Sequence, residues 1–242
     1  MLSYGSIDPQ GAENAMGLSK FFITSLAAVI SVLSHPAEAA VISCRAGNVT
    51  VTSPDVESAA LACSAVQAAV TQFAACRMPA LNKPLRIVIL DDLDGAFYGL
   101  YYIGKDMINV LTPAAMQASE MTENAFAGVE ITEYFKSTIT HELSHAATEG
   151  IPCPFASCIS TSEYISYAMQ VMSLDPEALA VFQETSRIDR PIATEEFSPV
   201  ILFMAPSLFA QKVWAHFQQN NAGCDFIGQL VRGETTLDLA PF

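Results

Sequence analysis

The chain has 242 residues, 25 Asp and Glu against 11 Lys and Arg, a net charge of −14 and 51% hydrophobic residues. That length and apolar content suffice for one well-filled core and exclude a disordered polyelectrolyte. With no cluster of Lys and Arg, the acidic balance also excludes nucleic acid or an anionic membrane as the main partner, because both need a basic footprint.

Phe21 to Ser34 is an apolar run preceded by Lys20 and followed by His35-Pro36-Ala37-Glu38-Ala39-Ala40. The run is shorter than the roughly 20 apolar residues of a membrane span. Small residues at Ala37 and Ala39 offer a cleavage point before Ala40. The segment therefore predicts a signal peptide over 1–39, export to the periplasm or the medium, and no stable membrane anchor after cleavage. Residues 1–15 carry Asp8 and Glu13 and no base, so a start at Met16 gives the better basic leader. Val41-Ile42-Ser43-Cys44 also resembles a lipid-attachment box, but it stands away from the apolar run, and a lipid on Cys44 would leave five cysteines. In an oxidising compartment the six cysteines predict three disulfides, of which only Cys153–Cys158 has a local argument.

Residues 40–242 read as a single domain. The β-branched run Val49–Thr52 predicts a strand. Ser53 then reads as the N-cap, and Pro54 as the first residue, of a helix reaching Cys76. The apolar run Pro84–Leu90 predicts a central strand. Phe97–Tyr102 and Met107–Leu111 flank Gly104-Lys105-Asp106 as a hairpin. Helical patterns follow over Val129–Thr148, Ser162–Ser173, Pro176–Ser186, Pro199–Gln219 and Cys224–Val231. Val200–Ala205 reads as core. Strands first and helices later predict an α+β fold, a small, mostly antiparallel sheet packed against several helices. Asp91-Asp92-Leu93-Asp94-Gly95 lacks the spacing and terminal Glu of a calcium loop and reads as an acidic turn.

One segment carries chemistry: His141-Glu142-Leu143-Ser144-His145, an HExxH pattern on a predicted helix. Residues four apart share a helix face, so both imidazoles can meet one metal ion, while Glu142 is turned aside toward a water on that metal. A catalytic zinc needs a third protein ligand and keeps a position for water. Glu163, near the start of the following helix, is the favoured third ligand. Glu149, Asp175 and Glu177 are its rivals, and His216 reads as an ordinary helical residue.

The segment from His141 to Thr148, HELSHAAT, resembles the zinc helix of the thermolysin-like gluzincins. In that family a Glu on the next helix completes a His, His, Glu site, and Glu163 follows His145 at a similar distance. The resemblance covers about 40 residues, Val129 to Gln170. It implies a zincin-like helix pair, Zn2+ held by His141, His145 and Glu163, and Glu142 as general base on a peptide or protein substrate. Gluzincins also often carry a His or Tyr that stabilises the oxyanion; here His216, Tyr164 and Tyr167 are the candidates, and no motif selects among them. The expected function is an exported zinc metallopeptidase whose substrate lies along a strand edge at Tyr98–Tyr102 or Met107–Leu111. The alternative is a non-catalytic binding or scaffold protein that retains the same fold.

Overall fold

The computed structural model describes residues 39–95, 97–119, 125–219 and 223–238. The predicted signal peptide lies almost wholly outside them. Five strands, β1 (Ala40–Ser43), β2 (Val49–Ser53), β3 (Leu85–Leu90), β4 (Gly99–Tyr102) and β5 (Met107–Leu111), form one sheet in the order β1-β2-β3-β5-β4. β3 is central, as its apolar run predicts. Leu85, Ile87 and Ile89 are buried while Arg86 is exposed, so this strand alternates rather than burying both faces.

The sheet is mixed, which corrects the expectation of a mostly antiparallel one. β1 pairs antiparallel with β2 and β4 with β5, but β2–β3 and β3–β5 are parallel. Helix α1 (Val56–Ala75) is the reason for the first parallel pair, since it returns the chain across the sheet between β2 and β3. The predicted β4–β5 hairpin forms, with Gly104 at φ +75° in its turn, but β5 is the strand that pairs with β3. β4 is thereby left at one edge of the sheet, opposite β1.

The N-cap of α1 is Asp55 rather than Ser53. Its carboxylate accepts from the Ser58 backbone N–H at 2.7 Å and from the Ser58 hydroxyl at 2.8 Å, whereas Ser53 closes β2. By length and composition α1 could cross a membrane. Here it serves as a core helix, burying Ala59, Ala62, Val66, Ala69 and Phe73 against β2 and the next long helix. Cys63 within it bonds Cys44, and Cys76 at its end bonds Cys224. Cys153–Cys158 forms as predicted, and no free cysteine occurs among the described residues. Three disulfides suit an exported protein.

After the short helix α2 (Pro113–Ala118) come α3 (Ile131–Thr148), α4 (Ile159–Met172), α5 (Pro176–Thr185), α6 (Pro199–Met204), α7 (Pro206–Gln219) and α8 (Gly223–Val231). α3 packs on β4, β5, α1 and α4. The predicted Pro199–Gln219 helix is broken in two because Pro206 offers no N–H to continue α6. α6 also departs from the expected core assignment. Only Leu202 is buried, while Val200, Phe203 and Met204 are 67–80% exposed.

Candidate metal centre

α3 begins at Glu130, whose carboxylate accepts from the N–H groups of Thr132 and Glu133 at 2.9 and 3.2 Å. Phe135, Ile139 and Leu143 anchor the helix with no exposed surface. This leaves the 141/145 face toward α4. α4 begins three residues earlier than its sequence pattern predicts, and its formal cap, Cys158, makes no side-chain cap bond. A distant residue supplies one: the buried carboxylate of Asp238 accepts from the N–H groups of Ser160 and Thr161 at 2.9 and 3.0 Å and from the Thr161 hydroxyl at 2.7 Å. With its first turn fixed in this way, α4 presents Glu163 to α3.

The three predicted ligands come together. His141 Nε2 and His145 Nε2 stand 3.2 Å apart, and each lies 3.4 Å from a different oxygen of Glu163. It is the one such group of potential metal donors found among the described residues. A tetrahedral centre with bonds of about 2.0–2.1 Å holds neighbouring donor atoms about 3.3 Å apart. The donor set and its spacing thus fit a small divalent cation. The His145 and Glu163 side chains retain 16% and 21% exposure, so one side of the cluster reaches solvent.

Electrostatics match this geometry. The imidazoles hold the Glu163 carboxyl below its ordinary range despite burial. Burial depresses His141, but Glu163, Glu142 and Gln170 outweigh it and raise the group overall. Burial, helped by His141, lowers His145 to about 4 against the pull of Glu163. His145 is thus held in the neutral form that a divalent cation requires, whereas His141, which Glu163 favours protonated, would release a proton on binding one.

Glu142 is not among the donors. Burial pushes its carboxyl up to about 7; His141 and the Tyr101 N–H oppose this, and Glu163 reinforces it. Its Oε2 accepts from the backbone N–H of Tyr101 on the edge strand at 2.8 Å. Gly99, two residues earlier on β4, permits this approach, because a Cβ there would stand 2.8 Å from Glu142 Cγ and Oε1.

The rival ligands have other tasks. Glu149 accepts from the Tyr101 hydroxyl at 2.8 Å and the Gly104 N–H at 2.7 Å, tying the β4–β5 hairpin to the end of α3. Asp175 caps α5 through the Ala178 N–H at 2.8 Å, and Glu177 follows in its first turn. Tyr164 and His216 bond each other at 2.8 Å within an aromatic cluster that includes Phe197 and Phe226. Of the three candidates for oxyanion stabilisation, Tyr167 alone packs on a donor, its ring 4.6 Å from that of His141. A cavity of about 230 Å³ beside Lys83, Asp106 and Glu149 includes none of the donors.

Sequence reasoning missed the partners of the other imidazole nitrogens. His141 Nδ1 lies 3.0 Å from Gln170 Oε1, and His145 Nδ1 lies 3.0 and 3.2 Å from the hydroxyls of Ser162 and Ser166. The available signal was the spacing of 162, 166 and 170, which puts three small or neutral polar side chains on one stripe of the helix that carries Glu163.

The molecule is thus an α+β protein in which two packed helices bring together a potential metal centre beside a sheet edge. The chain belongs to a family of unknown function (DUF6639), whose model matches residues 49–240 and so spans β2 through the end of the described chain. No curated protein and no solved structure matches it.

Proposed function

We propose that the protein is an exported zinc metallopeptidase of zincin-like, gluzincin type, acting in the periplasm or the medium. The observation that carries the proposal is the convergence of His141, His145 and Glu163 with a second carboxylate, Glu142, adjacent to the metal position but outside the donor set. A bound zinc would polarise the scissile carbonyl and lower the pKa of a coordinated water toward about 7. Glu142, with a carboxyl of raised pKa, is suited to take a proton from that water and return it to the leaving amine. An extended peptide could lie along the β4 edge by main-chain hydrogen bonds, with the Tyr101 N–H offered to it only as Glu142 releases that group. Tyr167, against His141, is the candidate to stabilise charge developing on the carbonyl oxygen.

The bond from the Tyr101 N–H to Glu142 favours a second reading. In this contact Glu142 holds the edge strand to α3, a structural task that a non-catalytic binding or scaffold protein would also need. One experiment separates the two. Protein purified without chelators is analysed for metal and assayed against a broad peptide library, alongside Glu142→Gln. The peptidase reading expects near-stoichiometric zinc in both proteins and a loss of hydrolysis of about 10²–10⁴-fold in the variant. A folded wild type with zinc and no hydrolysis leaves the scaffold reading; a folded wild type without zinc defeats the metallopeptidase.

A further inference from the structure

The geometry points to Gln170 as the positioning residue that commits His141 to metal binding through Nε2, an inference that rests on the metal site proposed above. The chain of bonds starts on α3. Ser137 Oγ donates its hydrogen to the Tyr134 carbonyl at 2.8 Å, so it has only lone pairs to offer Gln170 Nε2, which reaches it at 3.5 Å. The amide is thereby oriented with Oε1 toward His141 Nδ1, 3.0 Å away. A carbonyl oxygen only accepts, so Nδ1 carries a hydrogen and Nε2 keeps its coordinating position toward the point shared with His145 and Glu163.

His145 is held differently. The hydroxyls of Ser162 and Ser166 both donate and accept, so they fix the place of the ring without dictating its tautomer. Gln170 is 4% exposed, so its contacts with His141 and Ser137 are shielded from bulk solvent. As a neutral amide it polarises the imidazole less than a carboxylate would, which sets the affinity of the site below what the same ligands could reach.

The test titrates metal-free protein with zinc against a chromophoric chelator and records ¹⁵N spectra of the imidazoles at alkaline pH without metal. Gln170→Ala should weaken zinc binding about 10–100-fold and move neutral His141 toward the Nε2–H tautomer. Gln170→Glu should tighten zinc binding and keep the hydrogen on Nδ1. Ser162→Ala combined with Ser166→Ala should leave the His141 tautomer unchanged. Wild-type zinc affinity in both Gln170 variants, or a wild-type His141 tautomer in Gln170→Ala, overturns the inference; if Gln170→Ala does not fold, Gln170→Glu with unaltered affinity does so alone. A wild type that binds no zinc defeats the metal site, and the tautomer spectra still decide the role of Gln170.

Discussion

Tyr101 is held at both ends by α3: its backbone N–H donates to Glu142 and its hydroxyl to Glu149, each at 2.8 Å. Glu142 and Glu149 are seven residues apart, two helical turns, and so lie on one stripe of the helix. The edge strand is consequently fastened to the same helix that carries the two imidazoles of the potential metal centre. Gly99 is what allows the fastening to be this close.

Gly99→Ala should therefore force either Glu142 or β4 to move. Overpacking of this kind costs about 1–3 kcal/mol, and the substitution should also speed amide exchange at Tyr101, whose N–H loses its acceptor. Denaturant unfolding and hydrogen exchange check both effects. Unchanged exchange at Tyr101 would mean that the Glu142 contact adapts without being broken.

The ligand set predicts a sharp division among acidic residues. Glu163→Ala should reduce metal retention as severely as His145→Ala, since each removes one of three donors. Glu149→Ala and Asp175→Ala should keep the metal while losing stability through the hairpin and the α5 cap, the latter by about 0.5–2 kcal/mol. Metal analysis after dialysis, paired with melting curves, reads the two properties separately.

Tyr167→Phe keeps the ring against His141 and removes only the hydroxyl. Burial and the neighbouring Glu163 raise the pKa of that phenol, so it remains a donor at neutral pH. For a peptidase, kcat should fall about 10²–10³-fold with zinc content unchanged. Tyr164→Phe should instead act on stability, because its hydroxyl bonds His216 in the buried aromatic cluster. Equal effects of the two substitutions on kcat would remove Tyr167 from the reaction.

Glu149 sets a pH dependence. The Tyr101 hydroxyl, with the Gly104 N–H and Lys83, holds its pKa below the ordinary value. A depressed carboxyl stabilises the fold above its unfolded pKa, and this contribution disappears as pH falls through the folded value. Glu149→Gln should therefore melt lower than wild type at neutral pH, and the gap should close as pH falls below about 4. A gap independent of pH would assign the effect of Glu149 to packing alone.

Much of this fold is written in local pattern. The β4–β5 hairpin is announced by Gly104 between two apolar runs, and the spacing of His141 and His145 places them on one face before any tertiary contact is known. What local pattern could not give is pairing across distance. The parallel β3–β5 pair depends on which strand of the hairpin turns inward, and apolar content alone does not distinguish them. The α4 cap was similarly invisible, because its carboxylate comes from Asp238, 77 residues beyond Thr161 in the chain. In α6 the apolar run misled: a six-residue helix stopped by Pro206 can turn only one narrow stripe inward, and Leu202 occupies it.

The Cys76–Cys224 bond joins residues 148 apart. It closes a covalent ring that contains His141, Glu142, His145 and Glu163. A single cut in any loop of that ring converts one chain into two without releasing either piece, so the metal donors stay tethered to one another after the backbone is broken. Integrity of the potential metal centre is then decoupled from integrity of the chain, and becomes sensitive to reductant in its place.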